Sequence, residues 1–247
     1  MGLGGAAYYL PIVVAAIVFA VTSQRRLAKL NRLQEEAVSS LVRAVDARDP
    51  YTARHSEKTA EHAVEIAEAL GMDPARREIV RLAALLHDVG KLALPERILN
   101  KAGALTEDEW ALIKRHPLDS VRIVEGVERY RPCLPAIRHH HERFDGAGYP
   151  DGLRGGLIPL EARVLAIADA FDAMTSDRSY SAAMPEPDAL ARIAAGAGTQ
   201  FDAVVAAAFA RTHRPREGVT EVRPRPLPEG SLSDSPLAGL SGEQLRQ

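Results

Sequence analysis

No charged side chain precedes Arg25. Leu3 to Ser23 reads LGGAAYYLPIVVAAIVFAVTS, a run of 21 mostly apolar residues. An α-helix needs about 20 such residues to cross a bilayer. Arg25, Arg26, Lys29 and Arg32 all follow the run. A secretory signal peptide carries its positive charge ahead of the apolar core, so this order predicts an uncleaved single-pass anchor over residues 1–23. Cationic residues on the C-terminal flank place the bulk of the chain in the cytoplasm. Pro11 falls inside the span, where neighbouring groups can re-satisfy the backbone.

Residues 24–48 contain neither Gly nor Pro and predict a linker helix. Leu27, Leu30, Ala37, Leu41 and Ala44 fit an approximate a/d seam interrupted by Gln34. A parallel coiled coil with a second copy of the chain would use that seam; a helix packed on its own domain gives the same pattern. Residues 214–247 are rich in Pro, Gly, Ser and charge without a sustained period, which predicts a disordered tail. Between them, residues 49–213 form the working domain, and its long periodic runs predict an all-α bundle. A net charge of −2 gives no footprint for a nucleic-acid polymer. Cys133 is the single cysteine, so intrachain disulfides and thiolate clusters are excluded and any metal site must use nitrogen and oxygen.

Seven of the eight histidines lie within residues 55–141. In REIVRLAALLHDVGK, the residues Ile79, Leu82, Ala83, Leu86 and Val89 make an apolar helical face, with Gly90 as the expected stop and His87-Asp88 just before it. A buried aspartate is costly unless paired or metal-bound. His55 falls early in a helix, His116 at a helix break before Pro117, and HHHERFDGAGYPDG supplies His140 and His141. Asp169 and Asp172 sit in a helix whose Val164, Leu165, Ile167, Ala168 and Phe171 read as buried. Neighbouring helical side chains diverge by about 100°, so three consecutive imidazoles cannot share one ion, whereas two close ions can be reached from one turn. His140 and His141 then serve the centre, each suited to a different ion. His139 becomes a bystander, Glu142 orients a ligand, and the glycines fold Tyr149-Pro150 over the pocket edge as a lid. Imidazoles with a bridging carboxylate suit a two-metal site, and the natural chemistry of that site is phosphoester hydrolysis by a bridging hydroxide. No P-loop and no H-E-x-x-H spacing accompanies it.

RDPYTARHS, LLHDVGKL, ILNKAGALTEDEW, IKRHP, HHERFDGAGYP, IPLEARVLAIADAFDAMTSDRSY and GTQFD follow one another in this order. Over about residues 40–213 they resemble the HD-GYP domain, the branch of the HD phosphohydrolases that degrades cyclic di-GMP in bacteria. The resemblance implies an HD-type helical bundle holding two divalent ions, with iron, manganese and zinc all compatible. His55, His87, Asp88, His116, His140, His141 and Asp169 match the family's ligands, with Asp88 bridging. Lys91 matches a lysine near the phosphate. Asp172, Arg178 and Tyr180 match residues around the substrate, while Gly146, Gly148, Tyr149 and Pro150 match the name-giving loop. That loop is linked to partner recognition, which makes a diguanylate cyclase of the GGDEF type a candidate partner. Residence in a bacterial inner membrane with a cytoplasmic catalytic domain follows from the anchor and the family together.

The chain departs from the pattern at Tyr51, where some members carry a glutamate for a third metal, and this favours two ions. Arg54, Lys58 and Ala203 also stand where the family has glycine, arginine and proline. The expected activity is hydrolysis of cyclic di-GMP to pGpG or GMP. The alternatives are another HD-type nucleotide or alarmone phosphohydrolase, and a weakly catalytic scaffold that responds to cyclic di-GMP.

Overall fold

The computed structural model describes residues 4–48, 55–99, 101, 103–176 and 183–213. These form ten α-helices: α1 (Gly4–Arg48), α2 (His55–Ala69), α3 (Pro74–Leu86), α4 (Glu96–Leu99), α5 (Glu107–Ile113), α6 (His116–Val124), α7 (Leu134–His139), α8 (Leu160–Thr175), α9 (Glu186–Ala195) and α10 (Ala203–Thr212). The tail at 214–247 lies outside the described residues. Among the described residues, the only β feature is an isolated bridge between Ala197 and Phe201, so the expected all-α bundle holds.

The shaft of the bundle is α8. Val164, Leu165, Ile167, Ala168 and Phe171 are buried as expected, because α2, α3, α7, α9 and α10 all pack against this helix. A helix apolar around most of its circumference needs to be covered, in a protein core or in a membrane. Burying each large aliphatic or aromatic side chain stabilises the fold by about 1.5–3 kcal/mol. Asp172 is nevertheless buried on the same helix, which requires a partner for it.

The start of α3 is set locally: Asp73 caps it by accepting from the Arg76 N–H, and Pro74 stands at the first position. Its end departs from expectation. The helix stops at Leu86, and His87 and Asp88 lead into a 3₁₀ turn, Val89–Ala93, that contains Gly90. The buried positions are Val80, Ala83, Ala84 and Leu86, while Ile79 and Leu82 are only half-buried at the core's edge. Gly90 is a contact point and not a stop. A Cβ there would lie 2.5 Å from the Ser120 nitrogen and closer still to the His116 carbonyl oxygen. Its own N–H donates to Ser120 Oγ at 2.8 Å, and that hydroxyl donates to the His87 carbonyl at 2.6 Å. The glycine therefore lets the start of α6 press against the turn after α3.

Across the segments expected as anchor and linker helix, α1 runs without interruption and carries Pro11 within it. Its length and composition suffice to cross a membrane. Apolar residues on one broad face mark its later part. Val38, Val42 and Val45 pack toward the core, and the C-terminal end of α1 meets the Val89–Ala93 turn and α2. Leu27, Leu30 and Leu41 of the expected seam remain 60%, 58% and 38% exposed.

Candidate metal centre

Helix ends, not helix middles, supply most of the cluster. His55 opens α2, His87 and Asp88 follow α3, His116 opens α6, and His140 and His141 follow α7; only Asp169 comes from mid-helix, on α8. The HHHE run is therefore not one helical turn: α7 ends at His139, and His140 is its C-cap. Three histidines share a device. His87 Nδ1 faces the Ala84 carbonyl, His116 Nδ1 the Ile113 carbonyl and His140 Nδ1 the Ile137 carbonyl, each at 2.7 Å and three residues back. Each carbonyl belongs to the last turn of the preceding helix, where carbonyls lack helical partners. A ring that donates from Nδ1 has a lone pair on Nε2.

Those lone pairs converge. His116 Nε2 and His140 Nε2 face each other at 3.4 Å. His87 Nε2 is buried with no hydrogen-bond partner. Buried acceptors aimed at one another with no donor between them fit a cation, which is the group this donor set is built to take. The ligand atoms of His55, His87 and Asp169 lie within 4.8 Å of one another, as do those of His116, His140 and His141, and those of His87, Asp88 and His140. Asp88 spans the cluster: Oδ2 is 3.4 Å from His87 Nε2 and 3.8 Å from His55 Nε2, while Oδ1 is 3.3 Å from His116 Nε2. The cluster is consistent with a binuclear site for divalent metals. His140 groups with His116 and His141 and also with His87 and Asp88, whereas His141 groups with His116 and His140.

The electrostatics suit that chemistry. Burial lowers the pKa of His87 and His140 and takes His141 down to about 4, so these rings stay neutral near pH 7. His55 behaves oppositely. Burial would lower it, but hydrogen bonds to Asp169 and Asp172 and the charges of Asp169 and Asp88 raise it to about 10. Burial also opposes ionisation of Asp88, yet the neighbouring groups, the Lys91 ammonium among them, hold its pKa well below the usual range.

Lys91 Nζ lies 2.5 Å from Asp88 Oδ2, at the edge of the cluster. Asp172 is 2% exposed, and its Oδ2 stands 2.6 Å from His55 Nδ1. Arg178 and Tyr180 lie outside the described residues. His139 turns away, to Asp151 at 2.9 Å and the Pro135 carbonyl at 2.8 Å.

Glu142 does not orient a ligand. It is buried and accepts from the Asp151 and Leu153 N–H groups at 2.7 and 3.1 Å, so it clamps the Gly146–Pro150 loop. The Tyr149 N–H reaches the His141 carbonyl at 3.2 Å, and its ring packs 4.9 Å from that of His141. Gly146 closes a turn to the Arg143 carbonyl at 2.9 Å, and Phe144 and Asp145 bond to the Gln200 and Thr199 carbonyls. Gly148 permits the approach: a Cβ there would lie 2.5 Å from Glu142 Cα and 2.6 Å from the His141 oxygen. The loop is a fastened wall of the site, not a lid. Ser120 escaped the sequence reading, although its place four residues after His116 puts it on the same helix face.

An HD domain family model matches residues 39–205. The chain is 44% identical over 185 residues to the cyclic di-GMP phosphodiesterase response regulator RpfG of Xanthomonas campestris pv. campestris (strain 8004), covering 72% of this chain and 49% of that protein. It is 40% identical over 165 residues to 3'3'-cGAMP-specific phosphodiesterase 3 of Vibrio cholerae serotype O1, covering 67% and 36%. The chain thus spans about half or less of the length of these relatives. Among solved structures, the HDG"Y"P protein Bd1817 from Bdellovibrio bacteriovorus superposes with a TM-score of 0.53 at 22% identity, over 64% of this chain and 51% of that one.

Proposed function

Because the chain belongs to the HD domain family, in its HD-GYP-like branch, we propose that it is a metal-dependent phosphodiesterase acting on cyclic di-GMP. One observation carries the reading: the two oxygens of Asp88 face two different sets of imidazoles across one cluster. His55, His87 and Asp169 would hold one ion, His116, His140 and His141 the other, and Asp88 both. Two ions bound there supply Lewis acidity toward a phosphoryl oxygen and an activated water. Iron, manganese and zinc all suit nitrogen-oxygen ligation of this kind.

The protein's own groups do the rest. Lys91, beside Asp88, places a cation where phosphate charge builds up, which is the electrostatic contribution expected of a positioned ammonium. Tyr149 walls the His141 side and excludes water there. Ring opening of the cyclic dinucleotide gives linear pGpG, and a second cleavage gives GMP. The apolar run of α1 followed by its cationic flank supports an inner-membrane anchor with the catalytic bundle in the cytoplasm. The exposed stripe Leu27, Leu30 and Leu41 supports a parallel pairing of two copies, and the fixed outer face of the Gly146–Pro150 loop supports docking of a GGDEF-type partner.

The test compares wild type with Asp88→Ala after reconstitution with each metal, following cyclic di-GMP, 3'3'-cGAMP, pppGpp and dGTP by chromatography. The ions' share of catalysis is several kcal/mol, so turnover of cyclic di-GMP should fall on the order of 10³-fold or more in the variant. Preference for 3'3'-cGAMP, the substrate named for the Vibrio cholerae relative, would move the reading to that dinucleotide. Binding without turnover by wild type would overturn it in favour of a scaffold, and preference for pppGpp or dGTP in favour of a nucleotide or alarmone hydrolase.

A further inference from the structure

His55 lacks the support its neighbours share. His87, His116 and His140 each fix their ring on a carbonyl of the preceding helix's last turn. His55 is the first residue of α2, and its Nδ1 is held instead by the Asp172 carboxylate at 2.6 Å, with Thr59 Oγ1 at 3.4 Å. Asp172 is itself anchored: Ser176 Oγ donates to Oδ1 at 3.1 Å, and Lys58 Nζ lies 4.0 Å from the same oxygen and 3.4 Å from Ser176 Oγ. A carboxylate behind an imidazole fixes the ring and its tautomer as a carbonyl does, and adds negative charge that raises its strength as a ligand.

The charge falls unevenly across the cluster. On the His55 side stand Asp169, whose Oδ1 is 3.2 Å from His55 Nε2, and behind the ring Asp172. On the His116 side stand three imidazoles; Asp88, which is shared, has Oδ1 3.3 Å from His116 Nε2, and the charge of Asp169 also reaches His140 and His141. Among the described residues no hydrogen bond fixes the His141 ring, which rests against Tyr149. We propose that Asp172 is a positioning residue for His55, and that through it the His55–His87–Asp169 half is the tight ion site and the His116–His140–His141 half the weak one. This rests on the reading of the cluster as a two-ion centre.

The test uses the full chain in detergent, stripped with chelator and titrated with Mn²⁺ by equilibrium dialysis and elemental analysis. Wild type should take up two ions in two resolved steps. Loss of a partner behind a ligand costs roughly 10- to 100-fold in metal affinity, and Asp172→Asn should weaken the tighter step by that factor while leaving the weaker step within about twofold. Asn keeps an oxygen acceptor for Nδ1–H, so this loss reports the missing charge and not a misplaced ring. Ser176→Ala, which leaves the carboxylate in place, should weaken the same step by a smaller factor, and circular dichroism should show wild-type helix content in both variants. Equal weakening of both steps, or of neither, would overturn the proposal, as would two equivalent steps in wild type. Uptake of fewer than two ions by wild type would overturn the two-ion reading itself.

Discussion

The two walls of the centre are built on different principles. The α2–α3–α8 wall hangs His55, His87 and Asp169 on helices that meet through a dry core of Ala63, Ile66, Ala83, Val164 and Ile167. The opposite wall, made by α6, α7 and the Gly146–Pro150 loop, is joined by hydrogen bonds and close backbone approaches at Gly90, Ser120, Glu142 and Gly148. Apolar packing is forgiving: a core tolerates a swap of similar volume at modest cost. A wall defined by where backbones touch has no such tolerance, because no rotamer change relieves a clash with a carbonyl.

Gly90→Ala should therefore be the most damaging small substitution in the bundle. Overpacking costs about 1–3 kcal/mol and sometimes more, and here the added methyl meets the backbone of His116 and Ser120. Chemical denaturation should show a loss at the upper end of that range, with weakened metal uptake by the His116 half. Gly103→Ala, where a Cβ meets nothing within 4 Å, is the control and should lie within about 0.5 kcal/mol of wild type. Equal effects at the two glycines would break the comparison.

Glu142→Ala comes next. It removes the carboxylate that accepts from the Asp151 and Leu153 N–H groups, and each lost hydrogen bond to a charged group costs about 1.5–3 kcal/mol. The loop should loosen, raising KM for the proposed dinucleotide substrate several-fold. Because Glu142 touches no candidate ligand, bound metal should stay at the wild-type level. A drop in metal content alongside KM would show that the loop also holds the ligand set in place.

The contrast between walls also explains what could be read in the sequence. The core face of α8 was legible because Val164, Leu165, Ile167, Ala168 and Phe171 recur with helical period. The HD pair and the HHE run were legible because imidazoles and carboxylates are rare on apolar stretches. The reach of Glu142 into the loop was not, because it joins backbone N–H groups nine and eleven residues on, and any residue would supply those. Gly90 read as a helix stop because a sequence shows a missing side chain but not the backbone that fills the space. The contact of Asp172 with His55 was not legible, because the two lie 117 residues apart. That α1 is covered at Val38, Val42 and Val45 yet exposed at Leu27, Leu30 and Leu41 could not be read from period, because all six fall on one broad face.

The expected effect of pH has opposite signs at the two ends of the range in the metal-free protein. His55 carries a folded pKa raised to about 10, above its ordinary value of 6.5, so its contribution to stability is complete below pH 6.5 and disappears as pH rises through 10. His141 is depressed to about 4, so the unfolded chain binds more protons between pH 4 and 6.5 and stability falls as pH drops through that window. His87 and His140, also depressed by burial, add to the acid-side loss. Chelator-treated protein should therefore melt highest near pH 6.5 and lose stability on both sides. Metal binding has to displace the His55 proton, so ion affinity should rise across pH 6.5–10 while metal-free stability declines. Replacing His55 by Gln should flatten the alkaline limb of the melting profile and leave the acid limb in place. An alkaline limb that survives in this variant would show that the destabilising proton is lost elsewhere, and that the His55 wall is no more charge-dependent than the wall facing it.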